Sequence, residues 1–287
     1  MELTRFATAD DFSRQAEPFL LRNEAEHNLI LGICAGLRLH PERSEHPPYL
    51  ATVDEAGAVV AAAVMTPPHN LVLSLVAAPE ALAPLAQDLH RQHPLLPGVL
   101  GPGPASCSFA ELWQRLSGQP YRQGMAQRIY RLEAVTPAPG VPGQLRRATV
   151  ADRELVVEWL IAFNKEAAGE ADAGRVERAA DARLDSPDSA IYFWVDGRPV
   201  SLAGYSGPTA NGIRVGPVYT PPECRRRGYA SACVAALSQL LLEGGRRYCF
   251  LFTDLSNPTS NHIYQAIGYR PVCDVDEYRF AHQAQRG

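Results

Sequence analysis

The sequence predicts an α/β (α+β) protein of two tandem domains, each a mixed, largely antiparallel sheet flanked by helices. Three observations carry this expectation. Apolar residues recur with strand and helix periods in alternating segments along the chain. The run Thr136-Pro137-Ala138-Pro139-Gly140-Val141-Pro142-Gly143 holds three prolines and two glycines, reads as a linker, and divides the 287 residues almost in half. The order of elements before this run resembles the order after it. Length agrees, at roughly 150 residues per domain.

In the first half, residues 3–7 read as a strand, and a long helical stretch runs to about Leu39. Residues 49–54 and 58–65 form a hairpin around Glu55-Ala56-Gly57. A strand at 71–76, a helix at 81–92, a short strand at 98–101, a helix at 109–116 and a strand at 127–133 follow. In the second half, residues 144–149 form a strand. Residues 151–168 carry Leu155, Trp159, Leu160 and Phe163 at helical spacing. A more polar helix covers 174–184. Strands at 190–195 and 199–205 meet at Asp196-Gly197, a strong hairpin signal. Then come a strand at 213–220, a helix at 231–243, a strand at 248–252, a helix at 258–267 and a strand at 269–280. The expected domains are 1–136 and 144–287, joined by the linker at 137–143.

Bulk chemistry narrows the function. Apolar residues make up 46% and charged residues 20%, an ordinary globular balance. A formal charge of -4 gives no general basic surface, so no nucleic-acid partner is expected. The longest apolar run, 58–65, is far short of the roughly 20 residues that span a bilayer. No membrane partner is expected, and the N-terminus carries no signal-peptide pattern. Six cysteines without CxxC spacing read as buried reduced thiols, which points to a cytoplasmic protein. His90 and His93 lack the carboxylate or cysteine that would complete a zinc set, so no metal is expected.

Two segments carry chemistry. In Val218-Tyr219-Thr220-Pro221-Pro222-Glu223-Cys224-Arg225-Arg226-Arg227-Gly228-Tyr229-Ala230-Ser231, a strand runs into a proline-rich turn and then a helix. The first helical turn has N–H groups without internal partners and partial positive charge, which suits a pyrophosphate. Gly228 allows close approach of the backbone, Ala230 keeps the next turn small, and the arginines add cationic reach. Downstream, Asn257 suits an N-cap, Pro258 a first helical residue and Gly268 a C-terminal stop. Tyr264 lies on the side of this helix nearest Asn257. Its phenol, with an ordinary pKa of about 10, can donate a proton to a leaving thiolate. The bland alternatives are a solvated basic turn and a structural tyrosine.

Together these segments resemble the GNAT superfamily of N-acetyltransferases. Arg225-Arg226-Arg227-Gly228-Tyr229-Ala230 is similar to its Gln/Arg-x-x-Gly-x-Gly/Ala motif, and Asn257 through Tyr264 to Gly268-Tyr269 to its Asn-x6-Tyr-x3-Gly-aromatic motif. The resemblance covers about residues 144–280. It implies that acetyl-CoA binds as co-substrate and that its acetyl group passes by direct attack to a primary amine on a small molecule or peptide. It implies that the main chain at Val218, Tyr219 and Thr220 pairs with the pantetheine arm. N–H groups from Arg226 to Ser231 would hold the pyrophosphate, Arg225 to Arg227 would add charge, Asn257 would contact the cofactor, and Tyr264 would be the general acid. A gap between the strands at 213–220 and 248–252 would admit the cofactor. Many relatives place a glutamate on the central strand as base, but Ile213-Arg214-Val215-Gly216-Pro217 has none. Glu166 is the tentative base, with Glu170 and Asp254 as further candidates. The first half keeps the element order without either motif, and resembles a degenerate domain of the same kind. A non-catalytic acetyl-CoA-binding module that regulates a partner is the competing reading. Tyr264 favours the enzyme, because binding alone needs no proton donor.

Overall fold

A computed structural model describes residues 1–44, 46–137, 140–169 and 172–281. Among these residues the chain forms β1 (Glu2–Arg5), α1 (Ala9–Leu20), α2 (Asn28–Leu39), β2 (Tyr49–Glu55), β3 (Ala58–Met65), β4 (Leu71–Leu73), α3 (Leu82–Gln92), β5 (Gly98–Pro102), α4 (Gly103–Ser117) and β6 (Tyr121–Leu132). It continues with β7 (Gln144–Arg147), α5 (Arg153–Ala168), α6 (Ala173–Leu184), β8 (Ala190–Asp196), β9 (Arg198–Ser206), β10 (Gly212–Tyr219), α7 (Tyr229–Glu243), β11 (Tyr248–Asp254), α8 (Pro258–Ile267) and β12 (Arg270–Phe280). The order is thus repeated, as β-α-α-β-β-β-α-β-α-β in each half. No helix among the described residues is long and apolar enough to cross a membrane. All six cysteines are free thiols.

The chain divides into two compact units. One unit holds Met1–Ile129, Thr253–Asn257 and the chain from Pro271, and the other holds Tyr130–Phe252 and Pro258–Arg270. Sequence periodicity marks β12 as a strand without saying what it pairs with. In the first unit β4 and β5 are parallel, and β12 lies antiparallel on the far side of β5, from Val275↔Pro102 to Arg279↔Gly98. Without it that side of β5 would be an open edge of unpaired N–H and C=O groups. Side chains reinforce the register. Glu277 accepts from Asn70 Nδ2 at 2.9 Å and from the Met125 N–H at 3.1 Å, and Arg128 grips Asp274 at 2.6 and 2.9 Å.

The first unit corrects one sequence expectation. The long helical stretch to Leu39 is two helices, broken between Leu20 and Asn28. Buried His27 fills the break. Its Nδ1–H donates to the Leu20 carbonyl at 2.8 Å, and its Nε2 accepts from the Leu75 N–H at 3.0 Å. A continuous helix would leave that ring without the Leu20 carbonyl. His90 and His93 pack edge-on against Trp113 and Tyr49. Among the described residues no group of His, Cys, Asp and Glu could hold a metal.

In the second unit β7, β8, β9 and β10 form an antiparallel meander, and β11 joins β10 in parallel. Strand side chains alternate between faces. Ile191, Phe193, Leu202 and Tyr219 pack with Val156, Trp159, Leu160, Val176 and Ala180 under α5 and α6. Ala203, Ile213 and Val215 pack with Ala232, Cys233 and Leu237 of α7 and with Tyr264 and Ile267 of α8. The approach to α5 is set by Thr149 and Asp152, whose side chains bond reciprocally to each other's backbone in a capping box. Arg146 clamps Asp152 at 2.8 and 2.9 Å, and this hydrogen-bonded charge holds the carboxyl well below the usual carboxylate range. The depressed pKa means that the stabilisation is present above the unfolded-state value, about 3.9, and is lost as pH falls through the folded one. Asp152→Ala should lower stability by about 1 kcal/mol at neutral pH. Urea unfolding should show the gap from wild type closing as pH drops from 6 toward 2; a gap constant over that range would refute the role given to the Arg146 pair.

Candidate active site

The site begins with a bulge. In β10, Val215 lies opposite Tyr205 and Val218 opposite Ala203, so Gly216 and Pro217 together face one residue of β9. Gly216 has a φ of 144°, a region that favours glycine, and Pro217 has no N–H to give a ladder. On the other side, β10 pairs with β11 only from Gly212↔Tyr248 to Arg214↔Phe250. Beyond Arg214 no further pairing of these strands occurs among the described residues. The gap expected between the two strands therefore opens where the bulge begins. Val218 and Tyr219 keep their pairing to β9.

The turn after β10 leads to the uncapped start of α7. Arg226 (φ 62°) and Gly228 (φ 79°) both take left-handed backbone, and no side chain caps the first turn of the helix. Its leading N–H groups are therefore open to a ligand, which is the arrangement that binds anions. Tyr229 anchors the helix start by donating its hydroxyl to Asp196 at 2.6 Å. The acceptor carboxylate and burial raise the phenol's pKa. A Cβ on Gly228 would come within 2.9 Å of Val141 Cγ2. The sequence assigned this glycine to ligand approach. The structure gives it a second duty, as the place where the chain before β7 lies against the turn.

Arg225 behaves differently from its two neighbours. Its Nη2 donates to Glu166 at 2.6 Å, its Nε donates to the Thr220 carbonyl at 2.9 Å, and its guanidinium lies 5.9 Å from the Tyr219 ring centre. Two residues given separate roles by the sequence, Arg225 and Glu166, are thus partners in one strap from α5 to the end of β10. The Thr220 carbonyl is occupied, and its hydroxyl shares a hydrogen bond with Ser201 at 2.8 Å. Arg226 and Arg227 are exposed. Asp254 accepts from the Ser256 N–H and hydroxyl, both at 2.7 Å, and Asn257 donates its N–H to the Asp254 carbonyl at 3.1 Å. Glu170 lies outside the described residues.

Tyr264 is buried, 9% exposed, in the apolar cluster that contains Val215, Tyr229 and Ala232 and takes in Val218. Its ring meets Tyr269 edge-on at 6.0 Å. Burial pushes the phenol up to about 12. Below, Tyr130 holds α8 by donating to Asn261 at 3.0 Å and accepting from Gln265 at 3.0 Å.

Sequence reasoning missed Arg183 and Arg214. Nη1 of Arg214 and Nε of Arg183 are buried without a hydrogen-bond partner. The available signal was an arginine between Ile213 and Val215, in a strand covered by helices on both faces.

A strand that bulges and parts from its parallel neighbour, with an uncapped helix start in the connection, lies in a fold that this chain shares with solved GNAT proteins. The element order repeats in both halves of the chain. Residues 208–280 match the FR47-like protein family. Among solved structures, the chain resembles a protein from Drosophila malonogaster (TM-score 0.70, 13% identity, covering 97% of this chain and 98% of that one). It also resembles a GCN5-related N-acetyltransferase from Sphaerobacter thermophilus (TM-score 0.60, 18% identity, 96% and 95% covered). A third likeness is to a tandem GNAT protein from the clavulanic acid biosynthesis pathway (TM-score 0.58, 16% identity, 99% of each chain covered). No curated protein matches the chain.

Gly228→Ala tests the turn without a ligand. Left-handed backbone costs a non-glycine residue about 1–2 kcal/mol. Denaturant unfolding should show a loss of that size; an unchanged midpoint would mean that the turn is not held as described.

Proposed function

We propose that the chain is an N-acetyltransferase that uses acetyl-CoA to acetylate a primary amine. The observation that carries this reading is the coincidence, in one unit, of parted strands, an uncapped helix start and a buried phenol in the same cluster. When bound, acetyl-CoA supplies the reactive thioester. Main-chain groups of Val218 and Tyr219 on the side away from β9 would pair with its pantetheine arm. N–H groups from Arg226 to Ser231 would hold the pyrophosphate, with Arg226 and Arg227 adding charge from the exposed side. Arg225 serves better as the strap that fixes this turn, because Glu166 and Thr220 already take two of its donors and set its direction.

Tyr264 would keep a proton at Oη for the departing thiolate. A pKa of about 12 keeps the phenol protonated, and so competent as an acid, across the physiological range. Glu166 would accept the amine proton, which requires it to leave Arg225. A regulatory acetyl-CoA-binding module would need the turn but not Tyr264.

The test is thiol release by the purified chain with a panel of amines. Tyr264→Phe should lower turnover by about 10²- to 10⁴-fold with cofactor affinity and stability little changed. In the wild type, no fall assignable to this phenol should occur near pH 10, since its raised pKa moves that loss to about 12. Glu166→Gln should lower turnover comparably; a loss of stability alone would assign Glu166 to the strap. Full activity of Tyr264→Phe under chemistry-limited conditions would remove the acid role.

A further inference from the structure

Arg214 is the last residue of β10 paired with β11, so its side chain leaves the sheet where the strands part. Its neighbours Ile213 and Val215 belong to the α7 cluster. Strand alternation therefore sends Arg214 to the opposite face, the one covered by α5 and α6. There it meets the charge of Arg183, from the last turn of α6. Burial first, and that like charge second, lower Arg214 to about 10, while burial lowers Arg183. Gly207 makes room for the guanidinium, because a Cβ at that position would come within 2.9 Å of Nη2.

Neither arginine has a carboxylate within ion-pair distance among the described residues. Arg183 Nη1 donates to the Ala179 carbonyl at 3.3 Å, but its Nε is buried and unpartnered, as is Nη1 of Arg214. Two half-buried guanidiniums that feel each other's charge, each with a buried unpartnered N–H and no carboxylate within ion-pair distance among the described residues, are costly to fold. The deficit is one of negative charge and of acceptor oxygens, and a planar oxyanion between two guanidinium forks would meet both needs. The pyrophosphate site at the start of α7 lies on the other face of β10, so this is a separate demand.

We propose that Arg183 and Arg214 form the receptor for an oxyanion, a carboxylate or a phosphate, carried by the amine acceptor. Its place in the acceptor rests on the acyl-transfer reading above; the anion site itself does not. An acidic amine held here would extend its amino group from the point where β10 and β11 separate.

Thermal unfolding of the full chain tests the site without turnover. The probes are sodium acetate and inorganic phosphate, each against sodium chloride at equal ionic strength. The favoured oxyanion should raise the wild-type Tm in a saturable way, by roughly 3 °C or more. Which of the two acts distinguishes carboxylate from phosphate. Arg214→Met should raise the anion-free Tm, by removing an unpaired buried charge, and should abolish the anion response; Arg183→Gln should weaken it at least tenfold in apparent Kd. No oxyanion response beyond chloride, or an equal response in Arg214→Met, would overturn the site. A second arm, in the thiol-release assay, pairs amines bearing the favoured anion with uncharged counterparts: amino acids with their amides if acetate acts, phosphorylated amino alcohols with their parent alcohols if phosphate acts. The acidic member should be preferred at least tenfold in kcat/KM, with the preference lost in Arg214→Met and acetyl-CoA affinity retained. Oxyanion binding without that preference would overturn the assignment to the acceptor. Failure of acetyl-CoA to bind would instead strike the acyl-transfer reading.

Discussion

Pro217 has no amide hydrogen, and the strand that carries it cannot be zipped evenly on both sides. β10 keeps its antiparallel ladder with β9 by bulging at Gly216 and Pro217, and its parallel ladder with β11 ends at Arg214. Most of the second unit's chemistry follows from that asymmetry. Main-chain groups that a regular sheet would consume are left for another extended chain. The connection from β10 into α7 starts beside the gap, so the open N–H groups of the helix lie next to it in sequence. The two faces of β10 then divide the work. The α7 face gathers Tyr229 and Tyr264 in one apolar cluster, and the α5 and α6 face holds two arginines each with a buried N–H that has no partner among the described residues.

Apolar packing of the sheet is what allows polar groups to stand unspent. Tyr130 and the capping box at Thr149 and Asp152 satisfy their own neighbours and hold α8 and α5 in place. In the second unit, among the described residues, the uncapped start of α7 and the buried atoms Arg183 Nε and Arg214 Nη1 are exceptions. Buried polar groups are almost always paired, so exceptions of this kind call for an explanation.

The sequence made the elements of both units legible because each has its own period or turn signal. The Asp196-Gly197 hairpin, the glycine at the start of α7 and the proline at the start of α8 all lie where local chemistry places them. What it could not reveal is pairing over distance. β12 reads as a strand from its alternation, yet nothing in residues 270–280 says that β5 is its neighbour. The break at His27 depends on the carbonyl of Leu20 and the amide of Leu75, 48 residues away. In the site, the turn and the tyrosine were visible as motifs. The Arg225–Glu166 pair joins residues 59 apart, and so two side chains read as separate instruments are one strap. Arg214 was visible only as the position where a carboxylate was missing. Its meaning depends on α6 bringing a second arginine to the same face.

The central claim is that the start of α7 is an anion site for acetyl-CoA, and calorimetry on the full chain addresses it most directly. Acetyl-CoA should bind the wild type at one site per chain. Ala230→Glu places a negative charge in the first turn of α7, where the helix dipole tolerates it and phosphate does not. The fold should therefore persist while affinity falls at least tenfold. Wild-type protein that does not bind acetyl-CoA, or a folded Ala230→Glu variant that binds it equally well, would contradict the account.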